Sequence, residues 1–207
     1  VNLLAAGKDF YQVANMQVSP DQQLLAYMED TNGRRQYTLK VRDLRTGQDL
    51  PDQLTGLSGS IAWAKDSKTL YVVKNDPVTL LSTQVLQHSL GNDPTKAKVV
   101  YEEKDNSFYM GVGNSTDGNY VMIYSSSTVS SEIQVQDASK PDSAFVSLAP
   151  RERARAIIDN CVHPDYRQAL NDYFEKACAL GGHTPHILRD ALSWHMNLEE
   201  TGRMLAV

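Results

Sequence analysis

The amino-acid sequence predicts a mainly β protein: a partial β-propeller of about three four-stranded blades, followed by a small α-helical tail of three helices. Two observations favour this fold class. Strand-like segments recur three times in the same order across residues 1–149, each time with an aspartate in the first turn. Across residues 150–207, apolar residues recur instead at helical spacing. The change falls within residues 147–154, so we predict two domains, 1–149 and 150–207.

The three β units contain similar strand-like segments. These are residues 11–18, 24–28 and 37–44 in the first unit, 61–63, 69–73, 84–91 and 98–101 in the second, and 108–112, 120–124, 132–137 and 145–148 in the third. The first turns carry Asp21, Asp66 and Asp117, which are 45 and 51 residues apart. Aspartate side chains cap tight hairpins of this kind. A four-stranded unit that repeats at about 40–50 residues is typical of a propeller blade.

Closure of the ring is the difficulty for this fold. A propeller typically needs about 4–8 blades, so three blades leave two radial faces uncovered. Blades outside this chain, blades from another chain or a different packing of the repeats would have to cover them. A meander sandwich is the alternative fold, because its hairpins also repeat.

Three short amphipathic helices are predicted after residue 149. The first begins at Pro150, where the missing N–H of a proline is tolerated. The second begins at residues 163–165 and ends at Gly181-Gly182, and the third has Thr184 as its N-cap. Their apolar faces contain Ala154, Ile157, Ile158 and Cys161, then Tyr166, Leu170, Tyr173, Phe174 and Ala177, then Leu188, Ala191, Leu192 and His195. A piece of this size forms only a marginal core by itself.

Composition argues against several classes of partner. The net charge of −5 and the pI of about 5.5 give no basic surface for phosphate backbones, so we expect no nucleic-acid partner. No apolar run approaches the roughly 18 residues of a membrane helix, and residues 1–8 lack the pattern of a signal peptide, so no membrane partner is expected either. Cys161 and Cys178 show no disulfide or metal spacing, which favours buried thiols in a cytoplasmic protein.

The sequence contains no complete catalytic or metal constellation. The Gly-x-Ser-x-Gly nucleophile elbow is absent, and the nearest strings, residues 56–59 and 113–117, are predicted to be hairpin turns. His88 alternates with apolar neighbours on a predicted strand, which favours a surface or strand-pairing imidazole over a catalytic base. The four tail histidines share no helical face, so capping and packing are favoured over zinc binding. We therefore predict no catalytic residue, metal ligand or cofactor, and the substrate-binding residues stay unknown.

Three groups of charged residues lie in predicted loops of the β region. They are Glu29-Asp30, Glu102-Glu103 with Asp105, and Arg34-Arg35. The acidic groups could offer a cation a negative patch, although solvated loop carboxylates are the commoner arrangement. The arginine pair is predicted to contact such loops or to dock another domain. A surface ion pair of this kind contributes only about 0–1 kcal/mol.

Three strings in the β region point to a known family. Glu29-Asp30 is followed by Arg-Arg-Gln-Tyr at residues 34–37, Asn-Asp-Pro-Val-Thr-Leu-Leu occupies residues 75–81, and Val-Tyr-Glu-Glu-Lys-Asp occupies residues 100–105. In this order, from about residue 5 to residue 149, the chain resembles the propeller of oligopeptidase B, in the prolyl oligopeptidase family of serine peptidases. The resemblance implies a seven-bladed propeller that caps an α/β-hydrolase domain and admits short peptides, which the enzyme cuts after Arg or Lys. This chain would supply only the early blades.

The tail resembles a different family. It contains Arg-Glu-Arg-Ala at residues 151–154, His-Pro-Asp-Tyr-Arg at 163–167 and Gly-Gly-His-Thr-Pro-His at 181–186. These strings are similar to the C-terminal end of acetyl-CoA hydrolases and of succinate or acetate CoA-transferases. The resemblance implies a glutamate upstream that forms an acyl thioester with CoA, but nothing in residues 1–149 is similar to that region. Glu199 and Glu200 are predicted to be a solvated helix end.

Three functions follow from these observations. The first is the non-catalytic propeller portion of an oligopeptidase B-like serine peptidase, which gates short peptides to a hydrolase domain absent from this chain. The second is a binding or assembly module whose open blades pair with a partner, including a second copy of the chain. The third is a fragment of a CoA-thioester hydrolase or transferase. The meeting of two families at residues 147–154 indicates a fusion, an engineered chain or a splice of two genes.

Overall fold

The computed structural model of the protein describes residues 2–127, 130–148 and 151, so the predicted helical tail lies outside the described residues apart from Arg151. The described part contains strands, a one-turn helix and a short 3-10 helix. The strands are β1 (Gln12–Val18), β2 (Leu24–Asp30), β3 (Tyr37–Asp43), β4 (Asp49–Trp63), β5 (Thr69–Asn75), β6 (Ser82–Ser89), β7 (Lys98–Glu102), β8 (Tyr109–Asn114), β9 (Tyr120–Ser126), β10 (Ser131–Asp137) and β11 (Val146–Ser147). Helix α1 is Asn2–Ala5, and the 3-10 helix is Pro94–Lys96. Within the described ranges, no helix is long and apolar enough to cross a membrane.

The strands form three antiparallel four-stranded blades, which confirms the predicted propeller fold class. One sheet has seven strands in the order β1 to β7, and the other has the order β11-β10-β9-β8. The seven-stranded sheet contains two blades that share β4. Leu57 marks the change of blade, because it pairs with Tyr37 of β3 and also with Lys74 of β5.

The first half of β4 is a strand that the sequence analysis did not predict. Residues 49–57 pair with β3 and complete the first blade. The sequence pattern did not indicate this strand because it contains Pro51 and Gly56, and both residue types are uncommon in strand interiors. Pro51 is tolerated because this half of β4 is the outer edge of its blade, where a missing N–H costs no ladder bond. Gly56 has a φ of +72°, the conformation of a residue that re-aims a strand at a bulge.

The hydrophobic cores lie between the blades. The core between the first and second blades contains Ala26, Met28, Leu39, Val41, Leu54, Leu57, Ile61, Trp63, Leu70, Val72 and Leu86. The core between the second and third blades contains Ala62, Ala64, Tyr71, Val73, Val85, Met110, Val112, Val121, Ile123 and Ala138. Strand β5 serves both cores, since alternate side chains of a strand point to opposite faces. Its uninterrupted apolar run, residues 70–73, is therefore explained by burial on both faces.

The turn aspartates cap the first hairpin of each blade, as the sequence analysis predicted. In each case, the Oδ1 atom accepts a hydrogen bond from the backbone N–H two residues ahead. The donor–acceptor distance is 3.1 Å for Asp21, 2.9 Å for Asp66 and 3.0 Å for Asp117. These local contacts keep the three first hairpins alike although the surrounding sequences differ.

Candidate functional site

The three blades are aligned so that each end of the sheets carries equivalent segments. At the Asx-turn end, the Asp21 N–H donates to Ser67 Oγ at 3.1 Å, which joins the first turns of the first two blades. At the opposite end, Gln36 Nε2 donates to Pro77 O at 2.8 Å, which joins the loops that follow β2 and β5. We call this second end the crossover end. It contains residues 31–36, 76–81 and 103–108, and the chain passes there from one blade to the next.

Small residues bring the first strands of neighbouring blades close together. A Cβ atom on Gly59 of β4 would lie 3.3 Å from the Ala14 Cβ of β1, and one on Gly111 of β8 would lie 3.5 Å from Ser60 Oγ of β4. Only the Gly59 distance is tighter than an ordinary van der Waals contact, so glycine at this position permits a close approach of the first two blades. The inner wall of the partial ring is consequently formed by tightly packed backbone.

Trp63 joins the inner strands of all three blades through hydrogen bonds. Its indole Nε1 donates to Gln17 O of β1 at 3.1 Å. Its backbone N–H donates to Asn114 Oδ1 of β8 at 3.0 Å, and its carbonyl accepts from Asn114 Nδ2 at 2.7 Å. The Asn114 amide thus acts as a peptide group would in a neighbouring strand. This pair fixes the third blade against the second at the inner wall.

Several exposed apolar side chains lie at the crossover end. Val78 is 87% exposed, Tyr109 is 65% exposed and Phe10 is 39% exposed. Arg34 and Arg35 lie beside them, and both are exposed. Within the described ranges, neither arginine side chain forms a salt bridge. An exposed apolar surface flanked by unpaired arginines is typical of a docking surface.

A cluster of acidic and aromatic side chains surrounds Arg151 at the same end. Arg151 Nη1 donates to Glu103 Oε1 at 3.1 Å, Nη2 also donates to Glu103, and Nε donates to Glu132 Oε2 at 2.8 Å. Arg151 Nη2 donates to the hydroxyl of Tyr101 at 2.7 Å. The guanidinium carbon lies 3.9 Å from the centroid of the Phe108 ring, within the range of a cation–π contact. We call these five residues the guanidinium cluster.

Electrostatics within the guanidinium cluster follow from these contacts. Burial alone would raise the pKa of Glu103, but hydrogen bonds from the Arg151 guanidinium and the Asp105 N–H hold that pKa below its ordinary value. The hydrogen bonds to Glu103 raise the pKa of Arg151, although partial burial opposes this shift. Burial and the Glu103 charge raise the pKa of Tyr101. These opposite shifts favour the ionised pair of Glu103 and Arg151.

The acidic groups predicted from the sequence have different environments. Glu29 is buried and its Oε1 lies 2.6 Å from Lys40 Nζ, so the expectation of a solvated loop carboxylate is wrong for it. It is also wrong for Asp30, which is 1% exposed and accepts three backbone N–H groups of the loop that follows β2. Glu102 and Asp105 are exposed as expected. Among the predicted acidic residues that the structure describes, Glu29 pairs with Lys40 and Glu103 pairs with Arg151.

The predictions for the serine and histidine candidates are confirmed in part. Ser115 caps its turn, as predicted, by accepting a hydrogen bond from the Tyr120 N–H at 3.0 Å. The string at residues 56–59 lies inside β4, so its assignment to a hairpin turn is wrong. His88 lies on β6, as predicted, but its imidazole is buried, with Nε2 at 2.8 Å from Asp52 Oδ1. Sequence reasoning missed Asp52, because Asp52 lies in the strand that Pro51 and Gly56 concealed.

The part of the chain that the structure describes contains no group of three or more His, Cys, Asp or Glu side chains arranged to hold a metal ion. The tail cysteines and histidines lie outside the described residues. The one histidine of the described ranges, His88, pairs with Asp52, and the serines that bond to carboxylates do so within turns, as Ser115 does with Asp117. The crossover end therefore offers binding surfaces, and no chemistry is assigned to it.

Comparison with known proteins gives a consistent result for the β region. Residues 1–170 match the family described as prolyl oligopeptidase, N-terminal beta-propeller domain. Dipeptidyl aminopeptidase BI of Pseudoxanthomonas mexicana is 50% identical over 153 residues, which are 74% of this chain and 21% of that protein. Oligopeptidase B of Leishmania major has a similar structure, with a TM-score of 0.69 and 27% identity over 74% of this chain and 22% of that one. The chain thus spans about a fifth of the length of these relatives.

The C-terminal region matches other proteins. Succinyl-CoA:acetate CoA-transferase of Clostridium kluyveri is 60% identical over 58 residues, which are 28% of this chain and 11% of that protein. Acetyl-CoA hydrolases of several yeasts match the same 28% share. Both resemblances found in the sequence are therefore confirmed, and they belong to two unrelated families.

Proposed function

Because the chain belongs to the prolyl oligopeptidase family through the N-terminal β-propeller domain, we propose that it is the non-catalytic propeller portion of an oligopeptidase B-like serine peptidase. In this proposal the blades gate short peptides to a separate hydrolase domain. The sequence contains no nucleophile elbow, so this chain supplies no catalytic serine. Its division at residue 149 and a cytoplasmic location stay predictions within this proposal.

The exposed surface of the crossover end is the observation that carries the proposal. Each blade begins there, so a domain that precedes the first strand would adjoin this end. Val78, Tyr109 and Phe10 would be covered by such a domain, which would bury apolar area now exposed to water. Arg34 and Arg35 would supply the charged rim that interfaces commonly have.

A chimeric enzyme tests the proposal directly. Residues 1–151 of this chain would replace the matching segment of the Pseudoxanthomonas peptidase, to which it is 50% identical. We expect the chimera to hydrolyse short fluorogenic peptides and to leave long unfolded polypeptides uncut. The purified chain alone should show no hydrolysis. A chimera that cuts long and short substrates equally would contradict the gating role.

Two valine substitutions provide a matched pair for the docking surface. Val78→Lys changes the crossover end, whereas Val99→Lys changes the exposed outer strand of the second blade, where the native side chain is 46% exposed. We expect Val78→Lys to impair domain docking, seen as loss of size selectivity in the chimera, and Val99→Lys to have no such effect. Equal effects of both substitutions would place the interface elsewhere.

A second candidate function is assembly through the open side of the first blade. Strand β1 exposes Met16 and Val18, at 56% and 50% exposure, on a sheet face that no described residue covers fully. A second copy of the chain would bury this face. Light scattering would then show a dimer that Met16→Lys converts to monomer, whereas a strictly monomeric native chain would exclude this function. The CoA likeness covers only 11% of the transferase, so we propose no CoA chemistry.

A further inference from the structure

We propose that Tyr101, Glu103, Phe108 and Glu132 form a binding pocket for the guanidinium group of an arginine side chain. Arg151 of the same chain fills the pocket in this structure, and an arginine of a peptide fills it once Arg151 is withdrawn. The inference is independent of the peptidase assignment, because it rests only on the contacts within the guanidinium cluster.

The geometry matches a planar guanidinium and not a point charge. All three nitrogens of Arg151 donate hydrogen bonds, with Nη1 and Nη2 on Glu103 and Nε on Glu132. The guanidinium carbon lies over the Phe108 ring, 3.9 Å from its centroid, while the carboxylate oxygens accept from the N–H groups. An ammonium group of lysine has no fork of donors and no planar face, so it would satisfy fewer of these partners.

The walls of the pocket are more buried than the group they hold. The Glu103 side chain is 4% exposed and the Glu132 side chain is 12% exposed, whereas the Arg151 side chain is 26% exposed. Removal of the cation would leave two carboxylates without a counter-charge, and Glu103 would keep only its hydrogen bonds from the Asp105 N–H and the Tyr101 hydroxyl. The pocket is thus arranged for a cation that enters from solvent.

The pocket also lies between two blades. Tyr101 is on β7 of the second blade and Glu132 is on β10 of the third, while Glu103 and Phe108 lie in and beside the segment that connects them. Backbone hydrogen bonds of β7 and β10 hold the two strands independently of Arg151. Tyr101 and Glu132 are therefore held without the arginine, while backbone hydrogen bonds from Glu103 N to Thr83 O at 2.9 Å and from Phe108 N to Asp105 O at 3.1 Å hold the connecting segment. A free ligand can then enter.

Calorimetric titration of the full-length Arg151→Ala variant tests this inference. L-argininamide is the probe, and L-lysinamide is the comparison ligand. We expect saturable binding of argininamide to Arg151→Ala and none to the native chain, whose pocket is filled. Lysinamide should bind at least about tenfold more weakly, the loss expected for one charge-assisted hydrogen bond. The double variant Arg151→Ala with Glu103→Gln should lose argininamide binding.

Arg45→Ala is the matched control. Arg45 also forms an ion pair, with Asp43 at 2.9 Å, but its side chain is 67% exposed and no ring covers it. Its removal should create no argininamide site. If Arg151→Ala unfolds, the Arg151→Lys variant replaces it, because it keeps a cation in the pocket. Argininamide should then displace the lysine side chain and bind with a lower affinity than an empty pocket would give. The inference is overturned if neither Arg151 variant binds argininamide, or if Arg45→Ala binds it equally.

Discussion

Replacement of Asp52 by alanine should destabilise the protein strongly, because Asp52 ties the first blade to the second. Its Oδ1 atom lies 2.8 Å from His88 Nε2 and accepts the Gly91 N–H at 2.8 Å. The side chains of Asp52 and His88 are 3% and 1% exposed. Alanine would leave the buried His88 Nε2 without its hydrogen-bond partner and the Gly91 N–H without its acceptor. A polar group that loses its partner in the interior costs about 1–3 kcal/mol, so the loss of both hydrogen bonds should lower the free energy of unfolding by about 2–4 kcal/mol.

Asp49→Ala is the control for this prediction, since Asp49 lies on the same strand three residues earlier. Asp49 pairs with Arg42 at 2.7 Å, with both side chains 31% exposed, and it also accepts the Tyr27 hydroxyl at 3.0 Å, so its loss should cost about 1 kcal/mol. Asp52→Asn keeps one acceptor oxygen and should fall between the two alanine variants. Urea unfolding at neutral pH, followed by circular dichroism, gives the three free energies if the slope m is unchanged. A cost for Asp52→Ala below about 1 kcal/mol, or no larger than that of Asp49→Ala, would refute the reasoning.

Three further predictions concern the inner wall, a turn and a loop. Asn114→Ala removes both hydrogen bonds to the Trp63 backbone and should lower the free energy of unfolding by about 2–4 kcal/mol. A loss below about 0.5 kcal/mol would show that the Asn114 amide does not stabilise the contact between the blades. Gly118→Ala should lower the free energy of unfolding by about 1 kcal/mol, because Gly118 has a φ of +68°, which alanine adopts with strain. A Cβ at this position would have no atom within 4 Å, so steric contact would not contribute, and an unchanged free energy would show that the turn relaxes. Hydrogen bonds from Arg45 lower the pKa of Asp43 from 3.8 to about 2, so this carboxylate stabilises the fold above pH 3.8 and the benefit is lost as the pH falls towards 2. The stability difference between the native chain and Asp43→Asn, measured by thermal unfolding across this range, should therefore vanish at the acidic end, and a difference that is constant with pH would contradict the shift.

The features that local chemistry specifies were the ones predictable from the sequence. Asp21, Asp66 and Asp117 bond to backbone groups two residues away, so their roles follow from the turn alone. The alternation of apolar residues located all the strands except the first half of β4. That half was concealed because Pro51 and Gly56 weaken the pattern, while the outer position of the strand makes both residues tolerable.

The environments of the charged side chains were not predictable in the same way. Nothing in the local sequence distinguishes Glu103, which holds Arg151, from the neighbouring exposed Glu102. Likewise, Asp52 is buried because inter-blade packing turns its side of β4 towards His88, which is 36 residues away. Burial of a carboxylate depends on which strands meet, and a period of two gives only the face of the strand, not its partner.

The sequence by itself determined the repeating strands, their Asx turns, the change of pattern near residue 150 and the two family resemblances. These properties arise from contacts over a few residues or from strings that can be read directly. The tertiary structure alone decided that β4 serves two blades, that β5 is buried on both faces and that Glu103 and Glu132 enclose a guanidinium. The physical reason is range: the contacts of the guanidinium, for example, join residues 19 and 48 positions apart, and only the register and packing of the blades bring such residues together.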